Sequence, residues 1–188
     1  MERPVVFFGE GKADERFLQD FIKHYFEIEK ITYKNVNGKD SIHLVKNEFE
    51  KNTDQGGVNL LIFDADSDVQ AALKNINEQK AALGIEFETF LFPNNADIGA
   101  LEELLITMTV PQHQGIFDCF QPFNVCLTGK NPDYHVPDLK TQIFSYLSFQ
   151  RLESKEDKRD YTLNCWNLDA DYAKPLVDFL RPYLEQLT

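Results

Sequence analysis

Leu60-Leu61-Ile62-Phe63-Asp64-Ala65-Asp66-Ser67-Asp68 sets four consecutive apolar residues against three alternate aspartates. A short, uninterrupted apolar run reads as a strand buried on both faces, as in a parallel sheet. The flanks agree. Gly56-Gly57 breaks the chain before this strand, and Val69–Leu83 after it is an Ala- and Leu-rich helix with Gly84 as its stop. Upstream, residues 4–8 form a first strand closed by Gly9-Glu10-Gly11-Lys12. From Ala13 to about Phe26, Phe17, Leu18, Phe21, Ile22, Tyr25 and Phe26 fall on one helical face. Ile31–Val36 is a second strand, Ser41 to about Lys51 a helix with Ile42, Val45 and Phe49 inward, and Phe87–Phe92 a fourth strand. This alternation predicts an α/β, Rossmann-like parallel sheet of about four strands with flanking helices.

After residue 99 the pattern turns helical: Gly99–Val110, 111–119, Pro137–Gln150 and Asp171–Leu187. Arg151–Asp160, dense in charge, reads as a solvated loop or frayed helix end. The expected organisation is a single domain over 1–188, with an α/β core at 1–98 and a helical extension at 99–188 packed on it.

Composition narrows the function classes. The chain has 188 residues, 43% of them hydrophobic, with 16 Phe and 7 Tyr, which suits one sizeable core. No apolar run approaches the roughly 20 residues that span a bilayer, and Met1-Glu2-Arg3-Pro4 opens no cleavable leader pattern. Cys119, Cys126 and Cys165 have no CxxC spacing, so neither a disulfide framework nor a zinc ribbon is expected, and a reducing cytoplasm fits. The net charge of −12 argues against a free-standing non-specific nucleic-acid binder. A phosphodiester would have to be held through metal ions and a local patch, or by a basic partner.

In open parallel sheets ligands bind beyond the carboxyl ends of the strands, where strand order reverses. Glu10 follows strand one, and Asp64 and Asp66 follow strand three, so neighbouring strands would bring the three carboxylates to one rim. Close carboxylates repel, and such a cluster is best explained by a cation held between them. Mg²⁺ (or Mn²⁺) is the natural guest, taking oxygen ligands and keeping waters for a phosphate to displace. Asp68 reads as the cap of the next helix. Asp14 is placed either to cap its own helix or to serve as a second metal ligand. Gly9 and Gly11 let the chain turn and bring amides near a ligand, and Lys12 is placed to reach a phosphate.

A strand followed by Glu10-Gly11-Lys12-Ala13-Asp14, with a later strand ending in Asp64-Ala65-Asp66, resembles the Toprim domain of topoisomerases, bacterial primases, recombination proteins and OLD-type nucleases. The acid four places after the glutamate looks closest to the OLD-type branch. Leu91-Phe92-Pro93-Asn94-Asn95-Ala96-Asp97-Ile98-Gly99-Ala100-Leu101-Glu102-Glu103-Leu104-Leu105 and the tail resemble a compact, uncharacterised bacterial Toprim-like family, so the likeness covers nearly the whole chain. The resemblance implies Glu10 as metal ligand or general acid/base, Asp64 and Asp66 as Mg²⁺ ligands, and Asp14, Asp68 and Glu102 as outer or second-metal ligands. It implies metal-assisted cleavage of nucleic-acid phosphodiesters. It also implies a separately encoded ATPase partner, because the ATPase domain of full-length OLD proteins is missing here.

The four histidines are scattered, Asn94 and Asn95 read as turn-formers, and Trp166 with Tyr161 and Tyr172 as packing. Two other readings stand beside the nuclease. One is a catalytically silent Toprim-like module that binds a metal, nucleotide or protein. The other is a different Asp-x-Asp phosphatase or glycosyltransferase, which fits less well because the motif closes the third strand rather than the first.

Overall fold

Strands β1 (Val5–Gly9), β2 (Thr32–Asn35), β3 (Val58–Asp64) and β4 (Glu88–Phe92) form one fully parallel sheet in the order β2-β1-β3-β4. The structure is a computed structural model, and residues 3–185 are described. From β1 the chain passes outward to β2, then crosses to β3 on the other side of β1 and continues to β4. Strand order therefore reverses between β1 and β3, which places the expected ligand crevice at their carboxyl ends.

Side-chain alternation divides the core into two layers. Phe7, Leu60, Ile62, Phe90 and Phe92 point to one face, and Val6, Phe8, Leu61, Phe63 and Leu91 to the other. The second face is covered by a 3₁₀ segment at Lys39–Val45, α2 (Lys46–Asp54) and α3 (Val69–Leu83), with Phe8 stacked on Phe49 at 3.7 Å between ring centroids. The first face receives α1 (Lys12–Phe26), α4 (Leu101–Thr107), α7 (Leu139–Phe149) and α8 (Lys174–Leu184), whose Phe17, Leu104, Tyr146 and Leu180 are buried against the sheet's own side chains. The helical C-terminal half thus packs on the sheet.

Several boundaries differ from the sequence expectation. The helix expected at Ser41–Lys51 is a 3₁₀ segment that passes into α2 only at Lys46 and ends at Asp54. The expected helix at Gly99–Val110 shortens to α4, because Gly99 (φ 129°) is held in a bridge to Asp66, and Glu103 accepts the Ala100 amide at 2.7 Å. The expected 111–119 helix splits into α5 (Pro111–Gln114) and a 3₁₀ turn at Phe117–Cys119. α6 (Phe120–Lys130) was not foreseen: Pro122, Gly129 and the lack of an apolar stripe obscure it, and none of its residues is buried. In the last element Asp171–Ala173 is 3₁₀ before α8, and the expected end at Leu187 lies outside the described residues. Among the described residues no helix is long and apolar enough to cross a membrane.

The largest correction concerns Arg151–Asp160. It is a loop with one 3₁₀ turn at Glu156–Lys158, but it is not simply solvated: Ser154 and Arg159 are buried. Arg16 of α1 donates Nε to the Arg159 carbonyl at 2.7 Å and a terminal nitrogen to Asp20 at 2.6 Å. Asp20 in turn accepts the Tyr161 amide at 2.9 Å. Two polar residues of α1 thereby hold this loop against the rim of the sheet.

Candidate functional site

Gly9 pairs with Ile62, so β1 and β3 run out side by side and release Glu10 and Asp64 at one edge. The Asp64 amide points at Glu10 Oε1 at 3.4 Å, a long contact. Gly11 then turns the chain into α1, and Asp14 Oδ2 accepts the amides of Glu10 (2.9 Å) and Gly11 (3.1 Å). This is capping, and it also fixes the Asp14 carboxyl beside Glu10. Across the rim the Leu101 amide donates to Asp64 Oδ1 at 3.0 Å. The next residue, Glu102, is buried within 3.7 Å of the Lys140 ammonium on α7.

Four carboxylates therefore meet: Glu10, Asp14, Asp64 and Glu102. Asp64 is pushed up to about 8, first by burial and then by repulsion from Asp14, Glu10 and Glu102. Asp14 rises to about 6 for the same leading reason, against the two amides that favour its charge. Glu10 and Glu102 are also raised by burial, which at Glu102 outweighs the attraction of Lys140. Glu10, Asp14 and Asp64 line a cavity of about 750 Å³ whose other wall carries Lys12, Lys140, Lys155 and Arg159 together with Glu156 and Asp157. Lys12 sits on that cavity at the first residue of α1.

Asp66 goes elsewhere. Its backbone is left-handed (φ 55°) and exchanges two hydrogen bonds with Gly99, at 2.8 and 2.7 Å. That turn aims the side chain at Lys39, with which it forms an ion pair at 2.5 Å. Asp66 lines a second, smaller hollow together with Lys39, Asp68 and Glu10. Glu10 stands between the two, repelled by Asp66, whereas Asp64 is repelled by the other three. Asp68 caps α3, its Oδ1 accepting the Ala71 amide at 3.0 Å. Gly9 is needed for space: an added Cβ would lie 2.2 Å from the Tyr33 hydroxyl, which donates to the Gly11 carbonyl at 2.9 Å. Gly11 faces open space.

The remaining expectations fall away from the site. His113 joins the Tyr146 hydroxyl at 2.8 Å, Asn94 and Asn95 shape the turn after β4, and Tyr161 and Trp166 are in the core. Sequence reasoning missed Lys39, Tyr33, Lys140 and Arg159 as site residues. Tyr33 lies on β2 and Lys39 on the segment that follows it, and only the sheet order could have brought them in.

The chain belongs to the family described as Protein of unknown function (DUF3226), whose model matches residues 5–185. No curated protein and no solved structure matches the chain.

Among the described residues no group of three or more His, Cys, Asp or Glu side chains stands ready-made to hold a metal ion. The donor chemistry nevertheless suits a hard cation. Glu10, Asp14 and Asp64 each spend one carboxyl oxygen on backbone amides, and their second oxygens take no hydrogen bond among the described residues. Positioning through one oxygen while the other stays available is how ligating carboxylates are commonly held. An incoming cation would relieve the mutual repulsion of these carboxylates.

Proposed function

We propose that this chain is a Mg²⁺- or Mn²⁺-dependent, Toprim-type enzyme that hydrolyses or transfers phosphodiesters of nucleic acid. The observation that carries the reading is the convergence of Glu10, Asp14, Asp64 and Glu102 at the switch point of a parallel sheet, all with raised proton affinity. Glu10 and Asp64 would hold the ion, with Asp14 and Glu102 as the adjoining carboxylates. When bound, the ion would supply Lewis-acid activation of water and stabilisation of the leaving oxygen. Glu10, half-buried and raised above the ordinary glutamate range, is suited to move a proton at its free Oε2. Lys12 and Lys140 stand where they would draw a phosphate into the cavity.

The chain's net charge of −12 makes a basic or ATPase partner part of the proposal, since the sequence offers no dense Lys/Arg stripe to grip a duplex. The cysteines, all free, suit a cytoplasmic site of action. A second reading, a Toprim-like module that binds without turnover, is favoured by one observation: Lys39 already neutralises Asp66.

The test is a divalent-ion titration read by thermal unfolding, followed by cleavage assays on circular and linear DNA and on RNA. Mg²⁺ or Mn²⁺ should raise Tm in the wild type and not in Asp64→Asn. An unchanged Tm at millimolar metal defeats the metal reading. Binding without cleavage selects the silent module.

A further inference from the structure

Arg159 is the largest fully buried side chain among the described residues, at 1% exposure, yet it makes no ion pair there. Its Nε donates to the Ser154 carbonyl at 3.2 Å, and its guanidinium lies beside the Tyr161 hydroxyl. Its charge is felt by the Glu102 carboxylate, but no carboxylate stands within ion-pair distance, so the cost of burying the guanidinium is only partly offset. The fold nevertheless holds it rigidly. Arg16 binds its carbonyl, and Asp20 binds the amide of Tyr161 two residues on. The side chain lines the same cavity as Glu10 and Asp64, and Lys140 and Lys155 stand on that wall.

We propose that Arg159, flanked by Lys140 and Lys155, is the phosphate-receiving arm of this cavity, taking the non-bridging oxygens of a phosphate ester opposite the carboxylates. The planar fork of arginine matches two such oxygens at once, and a held fork loses little freedom on binding. A tetrahedral phosphate has oxygens enough to meet both this fork and an ion on the opposite wall. The assignment of phosphate esters rests on the phosphodiester reading above.

The full chain is titrated with inorganic phosphate in EDTA, with acetate and chloride at matched ionic strength as controls, and binding is read by calorimetry and Tm. Phosphate should bind and stabilise the wild type where acetate and chloride do not. Arg159→Met should bind phosphate about tenfold or more weakly, as expected for loss of a charge-assisted hydrogen-bond pair, while keeping the Mg²⁺-induced rise in Tm. Lys155→Gln, at an exposed position on which folding does not depend, should weaken phosphate about two- to threefold and is the second handle should the Met variant misfold. Equal phosphate binding by the wild type and both variants, or equal effects of acetate and phosphate, overturns the proposal. A wild type that responds to phosphate but not to Mg²⁺ upholds the anion arm and defeats the metal reading instead.

Discussion

Replacing Asp64 by Asn tests whether its burial among carboxylates carries the free energy the geometry implies. In the folded chain Asp64 holds its proton to about pH 8, against 3.8 ordinarily. Between these values the unfolded chain binds fewer protons than the folded one, so stability falls as pH rises through the window and levels above pH 8. A rise of about four pH units at about 1.4 kcal/mol each caps the loss at about 6 kcal/mol. Asp14, which titrates at about 6, acts in the same direction over a lower and narrower window. The two effects are not added, because part of each is the same mutual repulsion. Asn keeps an oxygen for the Leu101 amide but has no charge, so the variant should lose the fall between pH 6 and 8 and keep the earlier one from Asp14. In EDTA at pH 7.5 it should be more stable than the wild type by about 2–4 kcal/mol, or roughly 5–15 °C in Tm for a domain of this size. Urea and thermal unfolding from pH 5 to 9 measure this. A wild type as stable at pH 8 as at pH 5 without metal, or an Asn variant no more stable at pH 7.5, refutes the buried cluster.

Gly9→Ala should cost about 1–3 kcal/mol by driving a methyl group into the Tyr33 hydroxyl, whereas Gly11→Ala, in extended backbone with open space, should stay within about 0.5 kcal/mol; urea midpoints at constant m distinguish them. Asp66→Asn removes an exposed ion pair and should change stability by less than about 1 kcal/mol. It should also leave most of the Mg²⁺-induced Tm shift in place, in contrast to Asp64→Asn, and equal losses in the two variants would show that Asp66 turns back into the cluster.

The sheet and the first half of the site were legible because each depends on local pattern. The run at 60–63 has no polar residue to suggest an exposed face, and Glu10-Gly11 with Asp14 reads as a turn into a helix with an acid in its first turn. The Asp64/Asp66 pair was harder. Alternate residues on a continuing strand share a face, but Asp66 takes a left-handed turn fixed by Gly99, 33 positions on, and its side chain leaves Asp64 for Lys39. Nothing within a local window announces that bridge. Arg159 was hidden by composition: a decapeptide with eight charges reads as solvent-facing, and its burial arises from Arg16 and Asp20 on α1, about 140 positions away.

The proton affinity of the cluster gives the metal reading a signature independent of cleavage. Amides already fix Glu10, Asp14 and Asp64, so a cation would find its ligands placed and would have mainly to displace protons. At pH 7 Asp64 is largely protonated and Asp14 largely ionised, given their values of about 8 and about 6. Ligation requires the charged forms, so binding Mg²⁺ at pH 7 should release about one proton per ion. Release should fall toward zero above pH 9, where Asp64 is already ionised, and the apparent affinity should rise with pH up to that point and then level. Calorimetric titration in two buffers of different ionisation enthalpy reads the proton count directly. Asp64→Asn should bind weakly with little release. Tight binding at pH 7 with no proton released would place the ion away from Asp64, and the exposed hollow beside Asp66 and Asp68 would then be where to look for it.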